Sequence, residues 1–247
     1  MDWADHCDKA LHDAHAAGAW AVRAVAEVVG ESTACRRLFS KQRARSALLV
    51  GLDNAGKSSI LCSLPQVRQR LQKFARDHGL DELRVDPTTA LQLVKFTMAR
   101  SSHHRLHRRA MVNWHVWDMS GEGRARPLWL YYCSLVQAIV FVVDVTDVER
   151  IAIARNELKH LFSHPSTRGL PLLVMANKTD VTTGNDESFA SPRTTPRRIA
   201  TEMLKGMLDL DALQVEHGLH VKLSECSAET GKGIEPAFQW LTDHVNW

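Results

Sequence analysis

Between Gly51 and Ser59 the chain reads Gly-Leu-Asp-Asn-Ala-Gly-Lys-Ser-Ser, directly after the apolar run Ala47-Leu48-Leu49-Val50. Gly51 to Ser58 fits the pattern G-x-x-x-x-G-K-[ST]. Glycines there let backbone N–H groups curl around phosphate oxygens, the lysine reaches the outer groups of a polyphosphate, and the hydroxyl that follows is a hard oxygen ligand for Mg²⁺. Gly51, Asp53, Asn54, Ala55, Gly56, Lys57, Ser58 and Ser59 are therefore the candidate phosphate-binding residues, with Ser58 on the metal. The motif works only between a strand and a helix, and the apolar run before it and the helical pattern after it supply both.

A phosphate loop does not choose its base. Asn177-Lys178-Thr179-Asp180 follows the apolar run Pro171-Leu-Leu-Val-Met-Ala176, at the carboxyl end of a predicted parallel strand, where ligands of open α/β sheets bind. A carboxylate at Asp180 accepts hydrogen bonds from N1–H and N2–H₂ of guanine, which adenine does not offer. Further on, Ser227-Ala228 follows a sixth apolar run, and the Ala228 N–H is a candidate donor to guanine O6.

These groups need a scaffold. The chain has 247 residues, 45% hydrophobic and 24% charged, which suits one sizeable domain with attachments. Short apolar or β-branched runs at 46–50, 91–98, 111–117, 137–143, 171–176 and 219–224 alternate with helical patterns at 57–73, 148–162, 196–209 and 234–245. Alternation of that kind predicts an α/β fold with a six-stranded, mostly parallel sheet and helices on both faces. No helix fits between 91–98 and 111–117, so that pair is expected as an antiparallel hairpin. Residues 1–45 read as an N-terminal helical extension and 46–247 as the domain proper. Residues 182–196, rich in Thr, Ser, Pro and Asn, read as a flexible insertion.

Several function classes are disfavoured. The five cysteines are scattered, with no C-x-x-C pair, so reduced thiols are expected rather than a disulfide framework or zinc site. No apolar run is long enough to span a bilayer, and the N-terminus resembles neither a secretory signal nor a transit peptide, so a cytoplasmic protein is expected. The net charge is +3, and the arginine bunches at 36–45, 100–109 and 193–198 come without a reader motif, so nucleic acid is not an expected partner. Neither His103, His104 and His107 nor His6, His12 and His15 reads as a metal site, the first group because neighbouring arginines repel cations.

Together these motifs resemble a small GTPase with the P-loop NTPase fold, specifically the ADP-ribosylation-factor-like branch. GLDNAGKSSIL is similar to its phosphate loop, DPTTALQL to its first switch, WDMSGEGRARPLWLYY to its second and IVFVVDVTDVERI to the strand and helix that follow; NKTD and CSAETGKGIEPAFQWL complete the set. The resemblance covers about 46–245, broken by three insertions. It implies GTP/GDP and Mg²⁺ as ligands, Thr88 as the first-switch metal ligand, Asp118 as the metal-side aspartate acting through water, and Gly121 as the γ-phosphate contact. It also implies Asn177, Lys178, Asp180, Ser227 and Ala228 around the base, and Lys57, Gly121 and the residue at 122 in catalysis. An effector, an exchange factor and an activating protein are the implied partners, with a role in membrane or ciliary trafficking.

The departures are specific. Ser120-Gly121-Glu122 stands where the family has Gly-Gly-Gln, so the water-orienting amide is a carboxylate and slow intrinsic hydrolysis is expected. The alternative is a GTP-dependent scaffold that scarcely hydrolyses. Leu91 replaces an aromatic that would join Trp117 and Tyr132 on the effector surface, and those two read equally as core residues. Position 2 is not glycine, so the myristoylation signal is missing and any membrane contact is expected to be peripheral. The basic tip Arg100–Arg109, joining hairpin strands that in the resembling family slide on nucleotide exchange, is a candidate contact for an anionic surface.

Overall fold

The computed structural model describes residues 43–78, 91–101, 111–181 and 198–245. Six strands, β1 (Arg43–Gly51), β2 (Leu91–Ala99), β3 (Met111–Met119), β4 (Ala138–Asp144), β5 (Leu172–Asn177) and β6 (Val221–Glu225), form one sheet in the order β2-β3-β1-β4-β5-β6. The β2–β3 pair is antiparallel and every other pair is parallel. The fold expectation is met on both counts. β4 and β5 are buried along their whole length, as strands covered on both faces must be.

Helices α1 (Lys57–Ser63), α2 (Pro65–Asp77) and α7 (Ile234–His244) cover one face; their Ile60, Val67, Leu71, Phe238 and Leu241 join Val94, Phe96, Trp114 and Val116 in one core cluster. The other face carries α3 (Pro127–Tyr132), α4 (Ile151–Ser163), α5 (Thr201–Met207) and α6 (Leu210–His217), which bury Trp129, Ile151, Leu158, Leu204 and Leu213 against Phe141 and Val174.

Element boundaries differ from expectation for local reasons. The pattern at 57–73 is two helices, because Pro65 forces Leu64 into an extended conformation (ψ 131°), and the second runs on to Asp77. The pattern at 196–209 is likewise a helix from Thr201 to Met207, and Asp209, left-handed at φ 59°, then starts α6. The 148–162 pattern opens with a 3₁₀ turn at Val148–Arg150. β1 starts at Arg43, so three residues assigned to the N-terminal extension pair with β3 (Arg43 with Val112). The rest of that extension and the insertion at 182–196 lie outside the described residues. So do both histidine clusters and the hairpin tip from 102 to 110. Arg100, at the near end of that tip, donates to the Asp243 carbonyl of α7 at 2.5 Å. Among the described residues Cys62, Cys133 and Cys226 are free thiols, and no helix is long and apolar enough to cross a membrane.

Trp114 ties the hairpin to α7. Its ring is fully buried and its Nε1–H donates to Thr242 Oγ1 at 3.0 Å. Trp114→Ala is expected to cost about 3–5 kcal/mol in urea unfolding, while Met203→Ala, at an exposed site, changes stability by less than about 0.5 kcal/mol. Equal effects would place the load-carrying packing elsewhere.

Candidate functional site

Because β3, β1, β4, β5 and β6 are mutually parallel, their carboxyl ends lie along one edge of the sheet; β1 and β5 end on Gly51 and Asn177 of the candidate set, β3 ends one residue past Asp118, and β6 ends two residues before Ser227. The loop after β1 turns back into α1 at Gly56, which has φ +87°. A Cβ there would lie 2.3 Å from Asn177 Nδ2, so glycine is required both for the turn and for the approach of β5. Lys57 opens α1, and its ammonium folds back over the loop to donate to the carbonyls of Leu52 (2.8 Å) and Gly51 (3.2 Å). Burial pushes its pKa down to about 8, although Asp118 and Asp53 pull it upward. It is thus a partly desolvated cation held at the centre of a loop of backbone amides.

The next residue, Ser58, donates its hydroxyl to Asp118 Oδ2 at 2.5 Å. Parallel pairing of Leu49 with Asp118 sets this meeting, since it brings the end of β3 level with the start of the phosphate loop. A half-buried hydroxyl and a buried carboxylate are hard oxygen ligands, so the donor set of Ser58 and Asp118 fits Mg²⁺. Thr88, the third expected ligand, lies outside the described residues.

Gly121 packs directly on the phosphate loop. A Cβ would fall 2.4 Å from the backbone N of Asp53 and the carbonyl O of Gly51, so no side chain fits. The segment after β3 therefore touches the loop itself. Arg126 reinforces the contact, donating to the Gly121 carbonyl (2.9 Å) and pairing with Glu157 of α4 (3.0 Å) and Asp53 (3.4 Å). Arg150 binds Asp53 from the other side at 2.9 Å and is itself held by Asp147. Burial works to raise the Asp53 carboxyl, but the Arg150 hydrogen bond and charge, with Arg126, more than offset it and hold it below the usual carboxylate range. Sequence reasoning placed Asp53 in the loop without finding this network. The pairs that join Arg126 to Glu157 and both arginines to Asp53 link residues 31 to 97 apart along the chain, so no spacing signal announces them.

Glu122 sits at the rim. Its carboxylate pairs with Arg124 at 2.8 Å, and both side chains are substantially exposed.

On the base side, Asn177 is fully buried and bridges two loops. Its Nδ2 donates to the Ala55 carbonyl (2.8 Å), and its Oδ1 accepts the Ala228 N–H (3.0 Å). The Ala228 N–H, expected for guanine O6, is thus engaged by Asn177, and a base oxygen there would share that donor. Ser63 Oγ reaches the Ala228 carbonyl at 2.5 Å, a contact that no motif announced. Lys178, left-handed at φ 68°, pairs with Asp144 at the end of β4 (2.6 Å). Thr179 is fixed through its hydroxyl on the Cys226 carbonyl (2.8 Å), which leaves Asp180 exposed at the open side of the cleft. Ser227 is buried and caps its own turn, accepting the Thr230 N–H at 3.1 Å.

Trp117 and Tyr132 are both half-buried with ring centroids 5.9 Å apart, packed on the core by one edge and presenting the other. Leu91, Leu128, Tyr131 and Leu135 are exposed.

Asn177→Ala removes one partner from the Ala55 carbonyl and one from the Ala228 N–H. It is expected to cost about 2–4 kcal/mol in urea unfolding and to speed hydrogen exchange at the Ala228 amide. An unchanged unfolding midpoint would mean that the two loops hold together without it.

Comparison with known proteins agrees with this geometry. The family model of the ADP-ribosylation factor family matches residues 32–245. ADP-ribosylation factor-like protein 1 of Caenorhabditis elegans is 30% identical over 210 residues, 85% of this chain and 93% of its own length. ADP-ribosylation factor-like protein 2 of Dictyostelium discoideum is 28% identical over 217 residues, 88% of this chain and 96% of its own. Among solved structures, the Arl6 BBS3 small GTPase from Trypanosoma brucei, with bound nucleotide analogue GppNp, shares the fold at a TM-score of 0.57 and 22% identity, covering 81% of this chain and 96% of that one. The loop Gly51–Ser58, Asp118 and Asn177 meet at one sheet edge, and the family match spans the whole of that sheet. The chain belongs to the ADP-ribosylation factor family of small GTPases.

Proposed function

We propose that this chain is a guanine-nucleotide switch that binds GTP and GDP with Mg²⁺ at the carboxyl edge of its sheet and hydrolyses GTP slowly. The observation that carries this reading is the Asn177 bridge, because one buried amide fastens the phosphate loop to the two base-side loops and makes them a single cleft. In that cleft the loop amides and Lys57 hold phosphate oxygens, and Asp180 accepts from the guanine edge. Ser58 and Asp118, with Thr88, would hold Mg²⁺, which when bound neutralises charge on the outer phosphates. Gly121 already abuts the loop, so its backbone N–H is the natural reporter of a terminal phosphate. Glu122 would orient the attacking water.

A second reading, a GTP-dependent scaffold with negligible turnover, draws support from one observation. The Glu122 carboxylate pairs with Arg124 at the solvent-facing rim rather than with any group of the phosphate loop. In either reading the exposed Leu91, Leu128, Tyr131 and Leu135 around Trp117 and Tyr132 supply the apolar patch on which an effector would dock. The protein would then act in the cytoplasm, meeting membranes peripherally, in trafficking, with an exchange factor and an activating protein as regulators.

Equilibrium binding of GDP against ADP tests the reading. Guanine selectivity of at least about 100-fold is expected, with Asp180→Asn shifting preference to xanthine and Lys57→Ala weakening every nucleotide by a similar factor. Equal affinity for ADP would end it.

Lys57 adds a pH signature. In the free protein it sheds its proton through about 8, well below its ordinary value, while bound phosphate restores the charged form. Binding then takes up a proton above that pH, so GDP affinity should fall as pH rises from about 8 toward 10. Calorimetry in two buffers of different ionisation enthalpy measures the uptake directly.

Single-turnover phosphate release separates the two readings of Glu122. Glu122→Gln is expected to raise the rate about tenfold or more if a neutral water-orienting amide is what the site lacks. An unchanged rate would favour the scaffold.

A further inference from the structure

Among the described residues β2 is the outermost strand on its side of the sheet, and one long edge of its backbone faces away from β3. Such an edge is a template for another strand. Its sequence, Leu-Gln-Leu-Val-Lys-Phe-Thr-Met-Ala over Leu91–Ala99, makes the hazard concrete: it holds no proline, no glycine and one charge. In an antiparallel ladder a residue's N–H and C=O point to the same side, so alternate residues face outward. Thr97 identifies which ones, because both of its backbone groups are taken from outside the sheet.

The outside partner is a side chain. Thr97 N–H donates to Gln66 Oε1 at 3.0 Å, and the Thr97 carbonyl accepts from Gln66 Nε2. A primary amide offers one acceptor and one donor on the same side, which is what a neighbouring strand would present to this residue. One helical turn on, Arg70 donates to the carbonyl of Lys95 at 3.1 Å. Beyond Thr97 the Ala99 carbonyl accepts from Gln239 of α7 at 2.9 Å, and the Ser101 N–H donates to Asp243 at 2.7 Å. Side chains from two helices thus engage consecutive outward positions of the edge: both backbone groups at Thr97, the carbonyls of Lys95 and Ala99, and the N–H of Ser101 just past the strand.

Helix geometry makes this possible. Gln66 and Arg70 are four residues apart and stand on one stripe of α2. Val67 and Leu71, on the neighbouring stripe, are buried in the core and hold the helix alongside β2. Four residues of helix advance about 6 Å, close to the two-residue repeat of a strand at about 6.6 Å, so the two side chains meet every second strand residue in step.

We propose that Gln66 and Arg70 of α2, with Gln239 of α7, form a side-chain cap on the outer edge of β2 that prevents β2 from pairing with β2 of a second copy of the chain. A two-fold axis through Thr97 would set Thr97 against Thr97 and Lys95 against Ala99. That register opposes no like charges directly, so charge alone does not forbid it. Occupied backbone groups do.

Hydrogen exchange and sedimentation velocity on the full chain test the cap. In Gln66→Ala the Thr97 amide should exchange about tenfold faster or more, while those of Val94, Phe96 and Met98, which face β3, keep their wild-type rates. Gln66→Glu retains an acceptor for the Thr97 N–H and should leave its exchange close to wild type. The triple variant Gln66→Ala, Arg70→Ala, Gln239→Ala should show a sedimentation coefficient that climbs with concentration beyond any rise in wild type. Wild-type exchange at Thr97 in Gln66→Ala would overturn the cap as drawn. Concentration dependence in the triple variant no greater than in wild type would overturn its role against self-pairing.

Discussion

A single buried amide organises the carboxyl edge of this protein. Asn177 has no exposure to water, and it spends its donor on the Ala55 carbonyl and its acceptor on the Ala228 N–H. Each of those backbone groups would otherwise be short of a partner next to the core, where an unmade hydrogen bond costs about 1–3 kcal/mol. The amide therefore dictates how close β5 stands to the phosphate loop. That closeness in turn demands glycine at position 56, since a Cβ would fall on the Asn177 nitrogen. The loop, the end of β5 and the turn after β6 behave as one piece for this reason.

Charge balance around the loop follows from the same compactness. Lys57 is buried enough for desolvation to depress its pKa, and two carbonyls and two aspartates partly compensate. Asp53, at the loop's outer side, carries two arginines from segments distant from it in sequence, one after β3 and one before α4. Arg126 touches the Gly121 carbonyl as well, so the segment abutting the phosphate loop and the helix behind it share one ion-pair network. These side chains are partly exposed, and each pair is worth little alone in water. Their value lies in position. The segment abutting the phosphate loop is held by contacts that can be exchanged at small cost.

At the far side of the sheet a different constraint operates. The β2 edge would be sticky if left open, and helices α2 and α7 close it with side chains whose amide and guanidinium groups imitate a neighbouring strand. The hairpin is also anchored through Trp114 to Thr242 and through Arg100 to Asp243. Site and edge are connected through α1 and α2, which run consecutively from Lys57 and are separated only by the kink at Leu64–Pro65.

The phosphate loop, the Asn177–Asp180 quartet and Asp118 were legible because each is a local pattern at a strand end, and the alternation of short apolar runs with helical stretches gave sheet composition and the antiparallel hairpin. Local sequence also carried the kink, since proline constrains the residue before it whatever the tertiary context, although the uninterrupted helical pattern at 57–73 hid it. What the chain could not disclose locally were contacts between distant residues whose side chains have many equivalent uses. The arginines on Asp53, Ser63 on the Ala228 carbonyl, the engagement of Ala228 N–H by Asn177 and the glutamine that caps β2 all depend on which elements become neighbours. Strand order and register decide that, and they are set by burial of the whole apolar surface at once. Sequence by itself thus determined which groups are candidates for holding a nucleotide, while the tertiary structure decided which of them already have partners within the chain.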